Sequence, residues 1–539
     1  MHRINNIIKH HKQLFIFLFI YVLVRILLIN VNYTEWGDSF RMIRGAEYLA
    51  KGDWPWDEKR WPFYSILLIP GILANSPVLW GRIISLFSSI GTLIFVYKFY
   101  LQFINSNKNY AVITAVLTSL NGIFAYWSFR VMADPVFTFL IILFSYLFMK
   151  WNTAKSYSKN SYKQTIILSI ILLTITMTRL EGLFIAVSCG LYLLITRASW
   201  KKIFILYIPQ ILIYLPWTIY AKFLYSGPVQ NDYLIEAQGF IFNFDRFQYF
   251  LAYSLFVLVV PAFVYFIYIG LKKIIKENIS NWIVILGFIF LEILIGFIWT
   301  PSLPRIYMPI IPFLTIFSVY GIQIFDAKKS KLSYILSSIL LLGLFIYLQY
   351  TLKLYFLGAS KLLFLILIIG SIKLIFFIYF EKSFKRFLIV GLVIFNLLIS
   401  FVVIYNQRLV YKTVKQAIDF SAPTDEKIAY SDETGNTEWY LRNNFYYLEQ
   451  KFTVDSNEQY AVLKNSSSQY LIWTNEFNRG SSFIDPKDDA RYDLVAIYSQ
   501  PIIDPFDVML DKLGLVEDNN FQVFVSKVYL VNFVNEEVN

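Results

Sequence analysis

Residues 13–62 read QLFIFLFIYVLVRILLINVNYTEWGDSFRMIRGAEYLAKGDWPWDEKRWP. The stretch from 13 to 31 is an apolar run of the length a bilayer core demands, about 20 residues. Its end is marked by Asn30-Val31-Asn32-Tyr33 rather than by the small residues of a cleavage site, so the run is expected to stay as an uncleaved signal anchor. Similar runs recur at 79–103, 109–127, 135–150, 164–178, 182–197, 203–222, 248–271, 281–299, 306–325, 332–350, 361–380 and 387–405. The expectation is a polytopic α-helical membrane protein of about 13 spans over 1–405, and beyond it, at 406–539, a soluble extracytoplasmic domain.

Composition agrees with this. The chain of 539 residues is 57% hydrophobic and 19% aromatic but only 16% charged, so water cannot be its main solvent. The net charge of +12 would by itself suggest nucleic acid, but it is unevenly placed: residues 1–405 carry +21 and residues 406–539 carry −9. The positive charge sits in alternate connections. Arg3, Lys9 and Lys12 open the series, and Lys98 and Lys108, Lys150 to Lys163, and Arg197 to Lys202 continue it. Lys272 to Lys276, Lys328 to Lys331, and Lys382 to Arg386 complete it. By the positive-inside rule these connections are cytoplasmic. An odd number of spans from a cytoplasmic N-terminus then puts the loops at 32–62, 128–134, 223–247 and 300–305, and the tail, outside. The tail reads as mixed α/β, with a helix near 409–420 and strand-like segments at 470–473 and 521–525.

Several chemistries are excluded. Cys189 is the single cysteine and lies in an apolar run, which rules out an intrachain disulfide or a cysteine metal cluster. His2, His10 and His11 all precede the first span, so carboxylates must do any acid–base work at the outer face. There is no phosphate-binding G-x-x-x-x-G-K-[ST] loop, and the energy must therefore arrive with the substrate, as in an activated sugar on a lipid phosphate.

The outer loops hold the candidates. Phe40, Ile43, Ala46 and Leu49 recur at helical spacing, with Arg41, Arg44 and Glu47 on another face, which predicts an amphipathic helix over 39–51. Asp38 stands before it as an N-cap, and equally as a general base, since an acceptor hydroxyl needs a carboxylate within reach as it attacks. Glu35 is the second candidate. Asp134, in Ala133-Asp134-Pro135, is either a helix start or a third carboxylate at the outer face. Arg179 and Arg305, at outer span ends, either snorkel to headgroups or grip phosphate oxygens bidentately. Glu292 falls inside a span, where an interhelical hydrogen bond is expected to satisfy it.

These segments in this order resemble the GT-C superfamily of polyprenyl-phosphate-sugar-dependent glycosyltransferases, in particular its protein O-mannosyltransferase and aminoarabinose-transferase-like branch (family 39/83). The likeness spans roughly 10–325. It rests on the acidic first loop with Asp38, Gly52-Asp53-Trp54 and Arg60-Trp61-Pro62, Ala133-Asp134-Pro135, Thr178-Arg179-Leu180-Glu181-Gly182, and Arg305-Ile306-Tyr307-Met308-Pro309. The resemblance implies a GT-C module with an outer-leaflet cavity, Asp38 activating the acceptor, arginines (Arg179, Arg305, Arg60) holding the donor phosphate, and inversion at the anomeric carbon. The family often shows Asp-Glu where this chain has Asp38-Ser39, which leaves a divalent metal open and no cofactor obligatory. The implied partners are a polyprenyl-phosphate-linked sugar and a lipid, glycan or protein acceptor, with a multi-pass location in the cell membrane. The rival readings are a transporter or flippase for a lipid-linked or anionic substrate, which predicts paired inverted halves and charges at the midplane, and a membrane-anchored receptor or scaffold working through its tail.

Overall fold

The computed structural model describes residues 11–54, 60–153, 160–220, 261–298, 304–352, 361–380, 383–421, 427–430, 445–447, 456–475, 485–501 and 523–532. It divides into two compact units. The first is built mainly from Ile43–Ala359 and Leu363–Ile404 with the N-terminal helix; Asn30–Met42 and the chain from Tyr405 onward belong to the second.

In chain order the helices are α1 Lys12–Leu27, α2 Gly37–Ala50, α3 Phe63–Leu73, α4 Pro77–Phe103, α5 Lys108–Ser119, α6 Gly122–Trp127 and α7 Ala133–Thr153. Next come α8 Asn160–Thr176, α9 Gly182–Ile195, α10 Trp200–Ile219, α11 Pro261–Ile298, α12 Ile311–Ile324, α13 Ala327–Leu352, α14 Lys361–Phe376 and α15 Phe384–Gln407. Among the described residues five helical stretches are long and apolar enough to cross a membrane, and shorter apolar helices accompany them. The chain is a multi-pass membrane protein.

Three departures from the expected spans have local causes. The run 109–127 is broken at Leu120-Asn121: the Asn121 side chain accepts from the backbone N–H of Ile123 (3.1 Å) and Phe124 (3.3 Å), capping a new short helix, α6. The runs at 248–271 and 281–299 are not separated by a cytoplasmic loop at 272–280, because α11 runs through that segment without interruption. Lys273 and Glu277 pair there at 2.8 Å with helical i,i+4 spacing, and neither Gly nor Pro occurs between Leu271 and Asn281 to stop the helix. The part of 248–271 before Pro261 lies outside the described residues, and the count of thirteen, with the parity drawn from it, is not carried by those described. In α10 a π-turn at Gln210–Tyr214 precedes Pro216, whose ring would clash with the carbonyl four residues back.

Helix packing relies on absent side chains where α11 meets α12. A Cβ on Gly270 would strike the Phe317 carbonyl, and one on Gly321 would strike the Phe266 carbonyl, so the two backbones are in direct contact.

The second unit contains α16 Lys412–Ser421, α17 Ser456–Ser466 and a five-stranded sheet: β1 Ile428–Tyr430, β2 Phe445–Tyr447, β3 Tyr470–Thr474, β4 Tyr492–Pro501 and β5 Val523–Val531. The order is β2-β1-β3-β5-β4, with β1 parallel to β2 and β3, and β5 antiparallel to both β3 and β4. The amphipathic face of α16 (Val414, Ala417, Ile418) packs on Ile428, Ile472 and Val528. Trp36 joins this core, its ring 5.6 Å from that of Tyr411, and Tyr33 N donates to the Arg408 carbonyl at 2.9 Å. Tyr411 keeps a φ of +59°, a conformation unfavourable to a bulky residue, at the bend where the chain turns into α16.

The glycine contacts give a direct test. Gly270→Val or Gly321→Val should each lower stability by about 1–3 kcal/mol or more through forced separation of the backbones, seen as a lower unfolding midpoint in detergent. Gly343→Ala, where a Cβ meets nothing within 4 Å, should leave it unchanged or slightly raised.

Candidate active site

The connection from α5 to α7 is buried from Gly122 on: every residue from Gly122 to Thr138 is shielded. An exposed loop would leave its backbone to water, so this one needs internal partners. Ser85 Oγ on α4 donates to the Arg130 carbonyl at 2.6 Å, and Met132 N donates to the same oxygen at 3.0 Å. The connection delivers Asp134 into the first turn of α7, as the adjoining Pro135 favours, at 1% exposure.

Asp134 meets the turn between α8 and α9. That turn is tight because position 182 is glycine: a Cβ there would lie 2.6 Å from the Ile175 carbonyl oxygen. Arg179 projects from it and bridges two acids. Its Nη1 donates to Asp134 Oδ1 at 2.5 Å, its Nε to Glu181 Oε2 at 3.2 Å, and its Nη2 to Glu181 Oε1. Asp134 is thus pinned by one oxygen. Its Oδ2 is buried and has no hydrogen-bond partner among the described residues.

A fourth ionisable side chain stands close by. A Cβ on Gly287 of α11 would lie 2.8 Å from Ser188 Oγ of α9, and this close packing brings Glu292, five residues on, into electrostatic reach of Arg179, Glu181 and Asp134. The expected interhelical hydrogen bond is absent among the described residues. Glu292 is fully buried, and neither of its carboxyl oxygens has a partner among the described residues.

Burial alone works against an ionised Glu181, but the Arg179 guanidinium outweighs it and, with a contribution from Arg305, holds this carboxyl below its ordinary range. For Arg179 the balance is reciprocal: burial opposes the cation, and Asp134 and Glu181 more than restore it, raising its proton affinity.

The remaining candidates are more dispersed. Arg305 lies in the 3₁₀ turn Pro304–Ile310, its guanidinium 5.4 Å from the centre of the Trp127 ring at the end of α6. Arg60 is carried by Trp61, which stacks on Tyr214 at 6.0 Å in a cluster with Met177, while Phe63 N donates to the Met177 carbonyl at 3.0 Å. The first unit therefore gathers Asp134, Arg179 and Glu181 in one hydrogen-bonded group, with Arg305 in reach of Glu181. Glu35 and Asp38 belong to the second unit, Glu35 buried and Asp38 half-buried. Asp38 is not an N-cap: α2 starts at Gly37, which puts Asp38 inside the first turn, where its charge faces the positive end of the helix dipole. The expected apolar face is otherwise present, with Phe40, Ile43 and Ala46 buried, and Met42 added to them.

No family model and no curated protein matches the chain. Solved structures do. ArnT from Cupriavidus metallidurans in its apo state superposes with a TM-score of 0.58 at 11% identity, covering 95% of this chain and 97% of that one. The fold is that of this ArnT. The same ArnT bound to undecaprenyl phosphate gives a TM-score of 0.56 at 13% identity over 95% and 98% of the two chains. The oligosaccharyltransferase AglB from Archaeoglobus fulgidus, in complex with an inhibitory peptide and a dolichol-phosphate, gives 0.51 at 12% identity over 86% and 70%. At such identities a shared fold is what the likeness establishes. As to a metal, no three His, Cys, Asp or Glu side chains among the described residues come together as ligands.

Glu181 supplies a pH test. A carboxyl whose folded pKa lies below its ordinary 4.5 adds stability that is complete above that value and is lost as pH falls through the folded pKa. From pH about 5 to 3, the unfolding midpoint of the wild type should drop further than that of Glu181→Gln; equal drops would remove Glu181 from the ionic cluster. Arg179→Met, which strands two buried acids, should cost about 3–5 kcal/mol at neutral pH.

Proposed function

We propose that the protein is an inverting glycosyltransferase, moving a hexose or modified sugar from a polyprenyl-phosphate-linked donor to an acceptor hydroxyl of a lipid, glycan or protein on the outer face of the membrane. The observation that carries this reading is the buried Asp134–Arg179–Glu181 group, with Asp134 Oδ2 left unpartnered among the described residues, on a GT-C fold. That the similar ArnT structure holds undecaprenyl phosphate, and AglB a dolichol-phosphate, supports the class of donor.

In this proposal the reaction is a direct displacement. Asp38 takes the acceptor proton as the hydroxyl oxygen attacks the anomeric carbon, and the bond to the phosphate oxygen breaks with its electron pair leaving on the lipid phosphate. Glu35 is the second candidate base. Asp134, anchored through Oδ1, presents Oδ2 to a hydroxyl of sugar or acceptor. Arg305 and Arg60 meet the developing negative charge, and Arg179 holds the acids in place, able to contribute the same field. The basic connections other than 272–280, which lies within α11, then face the cytoplasm, as does the N-terminus, and the tail from residue 406 onward forms an extracytoplasmic domain.

A flippase would carry paired acids and bases across the bilayer midplane. Here the hydrogen-bonded acids lie together at the start of α7 and in the α8–α9 turn, which favours chemistry at one end. Replacing Asp38 with Asn should reduce transfer by about 10²–10⁴-fold in a membrane assay, with insertion and unfolding midpoint kept. Full transfer by Asp38→Asn would eliminate it as the base and move the role to Glu35.

A further inference from the structure

We infer that Arg25 is a positioning residue for Asp134: from the first helix it clamps the buried connection that carries this carboxylate into the site. The inference rests on the reading of Asp134 as a substrate-contacting group.

Arg25 lies near the end of α1, among residues otherwise suited to lipid, where a guanidinium is costly and has to be offset by specific partners. It is 5% exposed and, among the described residues, has no carboxylate at ion-pair distance. What it has is the connection. Nη1 donates to Ser128 Oγ at 2.6 Å and Nη2 to the Ser128 carbonyl oxygen, a two-point grip on one residue. The guanidinium also lies on the face of Phe129, 3.5 Å from the ring centre, with Tyr21 from its own helix at 5.8 Å. Ser128 Oγ in turn donates to the Ala125 carbonyl at 2.9 Å, which carries the grip into α6.

The connection is thereby held at three places. Arg25 fixes Ser128 and Phe129, Ser85 fixes Arg130, and Arg179 fixes Asp134. The middle grip is reinforced by Gly81, where a Cβ would run into Val131. Without Arg25 the N-terminal end of the connection loses both its hydrogen bonds to α1 and its aromatic stack, and a small displacement there is passed along a chain of buried turns to Asp134. Lysine cannot substitute fully, because one ammonium does not reproduce a planar fork over a ring.

The test uses full-length protein in detergent or nanodiscs, comparing wild type, Arg25→Gln, Arg25→Lys and Ser128→Ala. Hydrogen exchange of the peptide covering 125–134 is read alongside donor turnover. In Arg25→Gln this peptide should exchange faster while α12 keeps its protection, and kcat should fall by about tenfold or more, in line with a misplacement of an ångström or less, with the donor KM little changed. Arg25→Lys should fall between it and the wild type, and Ser128→Ala, which keeps the carbonyl acceptor, should have the smaller effect. Unchanged exchange overturns the clamp. Faster exchange with unchanged kcat overturns the positioning role, and a raised KM at constant kcat replaces it with donor binding. If the wild type itself transfers no sugar, the functional reading fails, while exchange still decides the clamp.

Discussion

A guanidinium bridging two acids in a buried setting is the constraint around which the first unit is arranged. Arg179 has to be charged, and so it needs Asp134 and Glu181; Asp134 has to be at that end of α7, and so the whole connection from Gly122 onward is taken into the interior. Burying such a group is justified energetically only if its hydrogen bonds are made, and most of them are. The exceptions are informative. Asp134 Oδ2 and both oxygens of Glu292 lack partners among the described residues, which leaves three unsatisfied carboxyl oxygens in this group. Of the buried hydroxyls, those of Ser169 and Ser400 donate to backbone carbonyls of neighbouring segments, while those of Ser145, Ser318, Ser338 and Ser371 have no partner among the described residues.

The fold supplies the rigidity this requires. Close packing at Gly287 against Ser188 places the Glu292 side of α11 beside α9, and Gly182 tightens the turn that presents Arg179. Aromatic stacking of Trp61 on Tyr214 and of Trp54 edge-on to Trp217, at 5.5 Å, ties the far part of the first loop to α10. In the second unit Trp36 and Tyr33 are bound to the start of the tail, so the segment bearing Glu35 and Asp38 is held by folded structure.

Much of this was legible in the amino-acid order. Apolar runs with basic connections identify a polytopic membrane protein, and Ala133-Asp134-Pro135 marks a helix start with a carboxylate in its first turn. The pairing of Asp134 with Arg179 was not legible, because it joins residues 45 positions apart and depends on helix packing. Glu292 misled for the same reason: whether a buried acid finds a donor is a property of its neighbours in space. The uninterrupted α11 shows another limit. Lys272, Lys273 and Lys276 have the charge of a cytoplasmic loop, yet they are good helix formers, and charge alone does not break a helix. Asn121, lost in the average over an apolar run, does break one because its side chain competes for backbone N–H groups.

The central proposal is that the acids and arginines of this ArnT-like fold serve sugar transfer from a lipid phosphate. It is met most directly by incubating purified protein in membranes with a panel of labelled polyprenyl-phosphate sugars and measuring which label leaves the lipid, with Asp134→Asn in parallel. The account predicts that at least one sugar is released to an acceptor by the wild type and not by Asp134→Asn. Intact donors throughout the panel, with labelled lipid instead appearing in the opposite leaflet, would contradict it.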